Sequence, residues 1–178
     1  MRQFSSTHKL HHQDSTDHST QPDISMPVQL ANLLARERAA SYAGGFFRFI
    51  EPDLFRRYFA MWNMDPTHCV PFIKCAFGHL VFYHEEQYKA LNPVHNCIDV
   101  LGEKSELDFV MDILLCDRQA LENSFFIDLY EQVSERLGVP QLDEIYAFIP
   151  AIGLGGGRSV SHIQKVRMDE EMLILSRL

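Results

Sequence analysis

The last third of the chain restricts its fold most strongly, because an apolar run, a proline and a cluster of glycines follow one another there. Residues 145–149 are mostly apolar, Pro150 ends that run, and four glycines lie within residues 153–157. A polar and then amphipathic stretch continues to Leu178. A strand, a glycine turn and a helix in this order often cradle a phosphate group. A nucleotide site is therefore the first hypothesis that the segment raises.

The residues of this glycine turn (residues 153–157) and those after it depart from known phosphate-binding motifs. A P-loop needs a lysine followed by serine or threonine, whereas Arg158 and Ser159 follow the glycines here. A dinucleotide-binding motif needs a further parallel strand, and too few residues remain after Gly157 to form one. The glycines instead favour a tight turn with close backbone contacts. A small-molecule or nucleotide-sensing regulatory domain that uses Gly153 to Gly157 stays open as the alternative function.

Length and composition predict one domain with an ordinary hydrophobic core. The chain has 178 residues, of which 46% are hydrophobic and 22% charged, and it contains no apolar run long enough to span a membrane. The N-terminus lacks the apolar segment of a signal peptide. The four cysteines (Cys69, Cys75, Cys97 and Cys116) have no paired C-x-x-C spacing. We therefore expect a cytoplasmic protein with reduced thiols.

The negative charge of the chain is concentrated in one segment. The formal net charge is -8, and residues 99–144 account for all of it, since acidic side chains there far outnumber Lys104, Arg118 and Arg136. This distribution disfavours direct nucleic-acid binding, which requires basic residues to displace counterions from phosphates. It fits a basic partner, such as a nuclease with a positive DNA groove. An ordinary solvated helical surface is the simpler interpretation of the same charges.

The pattern of apolar residues predicts an α+β fold in a single domain, residues 24–178. Short strands are expected near residues 46–50, 70–75, 80–84, 87–91, 97–101 and 145–149, and helices near residues 27–40, 52–62, 105–115 and 123–137. The strands cluster centrally without regular βαβ alternation. We therefore expect a central, mostly antiparallel sheet flanked by helices, with a further helix at the C-terminus.

Residues 1–23 are predicted to form a disordered tail, because they are polar and lack apolar periodicity. The tail holds four of the nine histidines, namely His8, His11, His12 and His18. Clustered imidazoles bind Zn²⁺ or Ni²⁺, so metal binding by the tail is a weaker alternative.

Metal or catalytic chemistry elsewhere has little support in the sequence. A zinc site would need ligands in closely spaced pairs, and the spacing of the candidate ligands His68, Cys69, Cys75 and His79 is poor. A Cys-His nucleophile pair would need a third, orienting residue that the sequence does not identify. We therefore predict no metal, no cofactor and no catalytic residue.

The segment 144–178 resembles the C-terminal signature of immunity proteins that accompany type VI secretion DNase toxins. The matching features are an aromatic and apolar strand, a proline, an apolar-Leu-Gly-Gly turn, a polar segment with Lys-Val, and a short helix that ends in I-L-x-x-L. Residues 42–101 resemble, more loosely, the GAD-like part that precedes this signature. A third glycine in the turn, Arg158, and the histidine-rich tail are departures from the pattern.

The resemblance implies a cytosolic inhibitor, not an enzyme, that binds the nuclease domain of a cognate toxin and protects the producing cell and its kin. Such an inhibitor contacts neither nucleic acid nor membrane directly. We expect its contacts with the toxin to come from the acidic segment and from the residues after the glycine turn. The predicted contact residues are Glu103, Glu106, Asp108, Asp112, Asp117, Arg158 and Ser159.

Overall fold

A seven-stranded antiparallel sheet lies at the centre of the computed structural model, which describes residues 2–12, 26–112 and 114–178. The strands follow the chain in simple order from β1 to β7, each pairing with the next. Their bounds are β1 Leu10–His12, β2 Ser41–Tyr42, β3 Phe47–Phe49, β4 Val70–Cys75, β5 Leu80–His84, β6 Gln87–Asn92 and β7 Cys97–Glu103. The strands predicted from residue 46 to residue 101 are confirmed.

Seven α-helices occur in the part of the chain that is described, and several pack against the sheet. They are α1 Arg2–Thr7, α2 Val28–Glu37, α3 Pro52–Phe55, α4 Leu107–Asp112, α5 Arg118–Phe125, α6 Ile127–Leu137 and α7 Met168–Leu175. A 3-10 helix, Arg56–Trp62, continues α3. The expected α+β fold with a C-terminal helix is confirmed. None of the helices described is long and apolar enough to cross a membrane.

The sheet separates two hydrophobic cores because successive side chains on a strand point to opposite faces. On β5, Val81 and Tyr83 join the larger core, whereas Leu80 and Phe82 join the smaller one. The larger core includes residues of α2, α4, α5 and α6, and the smaller one includes residues of the Arg56–Trp62 helix and of α7. Aromatic rings supply much of the buried volume on both sides.

A second, two-stranded sheet carries the glycine turn. Strand β8 (Glu144–Phe148) pairs antiparallel with β9 (Ile163–Arg167), and the turn lies in the connection between them. The amide of Tyr146 donates to the carbonyl of Ala76 at 2.9 Å, which joins β8 to the main part of the fold. The glycine turn is therefore followed by strand β9, which pairs with β8, and helix α7 begins only after β9.

The helix predicted near residues 123–137 is divided in two. Phe126 adopts a left-handed conformation with φ 62°, which ends α5 and precedes α6. Its side chain is buried against Phe77 and Phe148, with ring centroids 5.5 Å and 5.2 Å away. Burial of this ring offsets the backbone strain of a non-glycine residue in that region.

The N-terminal residues differ from the disordered tail that the sequence predicts, since residues 2–12 form α1 and the edge strand β1. Phe4 is fully buried in the larger core, and its amide donates to Asp112 Oδ1 at 3.0 Å. His8 is also buried, with Nε2 2.7 Å from the carbonyl oxygen of Leu115. The rest of the predicted tail, including His18, lies outside the described residues.

Candidate partner-binding surface

Three of the acidic residues predicted to contact a partner bind backbone amides of the chain itself. Glu106 Oε2 accepts from the Glu103 amide at 2.6 Å, and Asp117 Oδ1 accepts from the Ala120 amide at 2.8 Å at the start of α5. Asp112 accepts from Phe4, as described above. Carboxylates at such positions stabilise helix and strand ends. Their presence in the sequence is therefore accounted for without a partner.

The remaining predicted acids, Glu103 and Asp108, are exposed. Glu103 ends β7, where its carboxylate accepts from Gln87 Nε2 at 3.0 Å, and Asp108 lies in the first turn of α4. The five acids thus come from the end of β7, both ends of α4 and the N-terminus of α5. These acids lie near one another in the sequence, but the hydrogen-bond partners of their carboxylates differ from one residue to the next.

Arg158 and Ser159 lie beyond the glycine turn, and Arg158 attaches it to the junction of α5 and α6. Arg158 Nη2 donates to the carbonyl of Glu122 at 2.6 Å and to Asp128 Oδ1 at 2.9 Å. Its guanidinium carbon lies 5.1 Å from the centroid of the Phe126 ring. Ser159 Oγ lies 3.0 Å from His162 Nδ1. Arg158 therefore has a structural role whether or not it also contacts a partner.

The glycine turn uses its own amides internally. The amides of Leu154 and Gly156 both donate to the Ala151 carbonyl, at 2.9 and 3.0 Å, and the Gly155 amide donates to the Ile152 carbonyl at 3.0 Å. A phosphate-binding loop instead directs free amides at its ligand. The geometry of these amides gives no support to the nucleotide-sensing alternative.

An exposed apolar surface at the C-terminus was not predicted from the sequence. We define the C-terminal apolar patch as Leu154, Leu173, Ile174 and Leu178. Leu154 is 63% exposed and Ile174 is 51% exposed. A methyl group at Gly153 would lie 3.7 Å from Leu178 Cδ1, so the glycine turn and the end of the chain are in contact. Contiguous exposed apolar side chains commonly mark interaction sites.

A cavity of about 230 Å³ connects this patch to the turn between β6 and β7. It is lined by Ile152, Leu175 and Leu178 on one side and by residues 93–96 on the other. Asn96 also accepts a hydrogen bond from Trp62 Nε1 at 2.7 Å. The sequence signal for this surface was the I-L-x-x-L ending, because a short helix with adjacent apolar residues cannot bury all of them against one core.

Strand β7, which follows that turn, also carries exposed apolar side chains. Ile98 is 36% exposed and Val100 is 59% exposed. Through the pairs Ile98–Leu91 and Val100–Lys89, both lie on the sheet face that carries the smaller core and Trp62. Exposed apolar side chains therefore occur both on α7 and on β7, the last strand of the main sheet.

The thiols and the buried imidazole are poorly suited to catalysis at neutral pH. Burial raises the pKa of Cys69 to about 12 and that of Cys75 above its ordinary value, and burial lowers the pKa of His79 to about 3. A protonated thiol is a weak nucleophile. Within residues 2–12, 26–112 and 114–178, no three His, Cys, Asp or Glu side chains are grouped to hold a metal ion.

Comparison with known proteins finds a family model that matches the C-terminal part. Residues 107–178 match a family model described as "T6SS immunity protein Tdi1, C-terminal". The segment runs from α4 to the end of the chain and so includes the glycine turn and the C-terminal apolar patch. Comparison with curated protein sequences gave no match.

A solved structure is similar over nearly the whole chain. The crystal structure of Atu4351 from Agrobacterium tumefaciens superimposes with a TM-score of 0.74, at 16% sequence identity. The match covers 99% of this chain and 89% of that one. At this identity the similarity establishes a shared fold.

Proposed function

Because residues 107–178 of this chain match the C-terminal family model of the type VI secretion immunity protein Tdi1, we propose that the protein binds and neutralises a cognate type VI secretion DNase toxin. The family match is the observation that carries this proposal. Neutralisation would protect the producing cell and its kin from the nuclease.

The charge of the chain supports a DNase as the partner. A nuclease that binds DNA presents a positive groove, and the net charge of -8 comes from the segment between residues 99 and 144. Opposite charges on two proteins raise their association rate and suppress wrong partners. The exposed acids Glu103 and Asp108 are the predicted contacts that remain best placed for this role.

The C-terminal apolar patch supports a tight complex. Binding energy in protein complexes is concentrated in a few apolar or aromatic side chains that become fully desolvated. Leu178 is exposed and lines the cavity, Ile174 precedes the cavity-lining Leu175 on α7, and a partner's side chain could fill that cavity. Nanomolar affinity, about 12 kcal/mol, is what we expect of an inhibitor that must leave no nuclease free.

Inhibition by binding requires no catalytic group, cofactor or metal from the inhibitor. We propose that the protein acts as a stoichiometric binder and not as an enzyme. It would act in the cytoplasm, where a DNase reaches the chromosome, without contacting DNA or a membrane itself.

The test is plasmid cleavage by the nuclease encoded beside this gene, with and without one equivalent of this protein. We expect protection that saturates at equal molar amounts, and a complex that elutes as one species from a sizing column. A nuclease from an unrelated system serves as the specificity control. Undiminished cleavage with no complex would contradict the proposal.

A pair of matched variants tests the C-terminal apolar patch. Ile174→Asp places a charge in the patch, and we expect it to weaken toxin binding at least tenfold. Val28→Asp makes the same kind of change on α2, where Val28 is 71% exposed, and should leave binding unchanged. Isothermal titration measures both affinities, and equal affinities would remove the patch from the interface.

A further inference from the structure

Strand β7 forms an edge of the main sheet. It is the last strand in the sheet order, and β6 is its strand partner among the described residues. The side chains of Ile98, Asp99 and Val100 are exposed although they point to alternate faces of the sheet. The backbone groups of β7 that face away from β6 therefore have no strand partner in the described parts of the chain.

This edge has only part of the protection that proteins use against pairing with another strand. Lysine, proline and β-bulges commonly protect an exposed edge strand. Strand β7 reads CIDVLGE, with no lysine and no proline, and its register with β6 shifts between Val100 and Gly102. Its charged residues are Asp99 and Glu103. Their polar contacts are with Cys97 and Gln87, and no lysine, arginine or histidine among the described residues forms an ion pair with either.

The register of β7 gives each of its faces a distinct chemistry. Ile98 pairs with Leu91, Val100 with Lys89 and Glu103 with Gln87, so these three side chains share the face of the smaller core. Asp99 pairs with Ala90 and points to the opposite face. A strand added to this edge would meet two apolar side chains and one carboxylate on one face, and a second carboxylate on the other.

We propose that β7 accepts an extended, positively charged segment of the toxin as an additional strand of the main sheet. This inference rests on the proposed function, because the segment belongs to the toxin. Main-chain hydrogen bonds to β7 would supply affinity, as in other complexes formed by strand addition. Apolar side chains facing Ile98 and Val100, and basic side chains near Asp99 and Glu103, would supply specificity.

The charge on the edge argues for a basic partner over a second copy of this chain. Two β7 strands paired with each other would bring the Asp99 and Glu103 carboxylates of both copies together. Like charges on adjacent strands are destabilising. The net charge of -8 on each copy adds long-range repulsion.

The end of β7 sets the length of the added strand. The Glu103 amide already donates to Glu106 Oε2, so it is occupied. Gly102 lies so close to α4 that an added methyl group would be 3.1 Å from both Glu106 Oε2 and Val110 Cγ2. The new pairing is therefore confined to residues 97–102.

Hydrogen–deuterium exchange of the free protein and of its complex with the nuclease domain tests this pairing. We expect the amides of residues 97–102 that face away from β6 to exchange rapidly in the free protein and at least tenfold more slowly in the complex. The opposite edge strand, β1, is the internal control and should not change. Slow exchange at these amides in the free protein, or no slowing in the complex, would overturn the inference.

Two lysine substitutions supply an independent test. Val100→Lys adds the charge that natural edge strands use to prevent pairing, and we expect it to weaken toxin binding at least tenfold. Val28→Lys on α2 is the matched control and should bind like the wild type. Thermal melts check whether both variants fold. If Val100→Lys does not fold, the hydrogen–deuterium exchange experiment tests the inference without it.

The outcomes separate this inference from the proposed function. A complex that protects DNA, but without protection at β7 and with full affinity in Val100→Lys, would overturn strand addition and leave the immunity function standing. Absence of any complex and of DNA protection would overturn both.

Discussion

The His79 imidazole is fully buried beside aromatic rings, with the ring centroid of Phe125 4.8 Å away. Burial disfavours the charged form and lowers the pKa to about 3. The folded protein therefore keeps this side chain neutral at pH values where the unfolded chain takes up a proton. A group with a lowered pKa in the folded state costs stability as the pH falls below its ordinary value of about 6.5.

His79→Phe tests this linkage. The wild type should lose stability relative to the variant as the pH falls from 6.5 to 5, by about 2 kcal/mol, since one pKa unit corresponds to about 1.4 kcal/mol. His8 is shifted in the same direction by burial, but it is present in both proteins and cancels in the comparison. Urea unfolding at each pH gives the two free energies. If the free energies of unfolding of the two proteins changed equally with pH, His79 would not be held neutral in the folded protein.

Side-chain charge alone does not give the environment of an acidic residue. Glu106, Asp112 and Asp117 are predicted contacts because they carry charge in an acidic segment. Charge counts contain no information on which backbone amides lie within reach, and these carboxylates accept from such amides. The exposure of Ile174 and Val100 depends in the same way on packing between distant segments.

In the glycine turn between β8 and β9, the backbone of Gly156 packs directly against the backbone of Pro150. A methyl group at Gly156 would lie 1.8 Å from the carbonyl oxygen of Pro150, which is far inside contact distance. At Gly153 the added methyl group would instead meet Leu178 at an ordinary 3.7 Å. The two glycines therefore differ in what they tolerate.

Gly156→Ala should lower the free energy of unfolding by about 1–3 kcal/mol, as overpacking does, whereas Gly153→Ala should be close to neutral. Chemical denaturation measures both, and each variant is the control of the other. Equal stabilities would mean that the turn relaxes without cost.

Helix α1 places an aromatic side chain in the larger core. The Phe4 ring lies 5.3 Å from the ring of Tyr42 and 5.4 Å from that of Phe47, centroid to centroid. Phe4→Ala should therefore lower the free energy of unfolding by about 3–5 kcal/mol. Gln3→Ala, at an exposed position of the same helix, should change it by less than about 0.5 kcal/mol. A neutral Phe4→Ala would mean that the N-terminal residues add nothing to the core.

Strands β3 to β7 of the main sheet were predictable because their apolar residues and their flanking turns are local signals. Strand β9 was not, since Gln164 and Lys165 make it polar and its partner β8 lies across the glycine turn. The break between α5 and α6 at Phe126 was not predictable either. Phenylalanine has no intrinsic preference for the left-handed conformation, and its buried contacts stabilise that conformation here. The return of α1 to the sheet depends on Asp112, more than a hundred residues away along the chain.

Under the proposed function, the uneven charge of the molecule should control how fast it associates with a basic toxin. Reversal of the exposed acids, in Glu103→Lys with Asp108→Lys, should slow association and flatten its dependence on salt. Glu131→Lys with Glu135→Lys changes the net charge equally, at exposed positions on α6, and should have a smaller effect. Stopped-flow rates at several salt concentrations distinguish the two. Identical rates for the two pairs would mean that net charge acts without regard to position.

Side-chain hydrogen bonds join residues 107–178, the segment that matches the family model, to the residues before them. These bonds restrict the exchange of that segment alone between related genes. Buried Lys74 donates to the carbonyls of Gln141 and Glu144, at 3.1 and 2.6 Å, and Tyr58 donates to Asp169 at 2.6 Å. A gene conversion that replaced residues 107–178 alone would have to preserve each of these pairings at once. Under the proposed function, new binding specificities should therefore arise by substitutions on the surface, or by exchange of the whole gene.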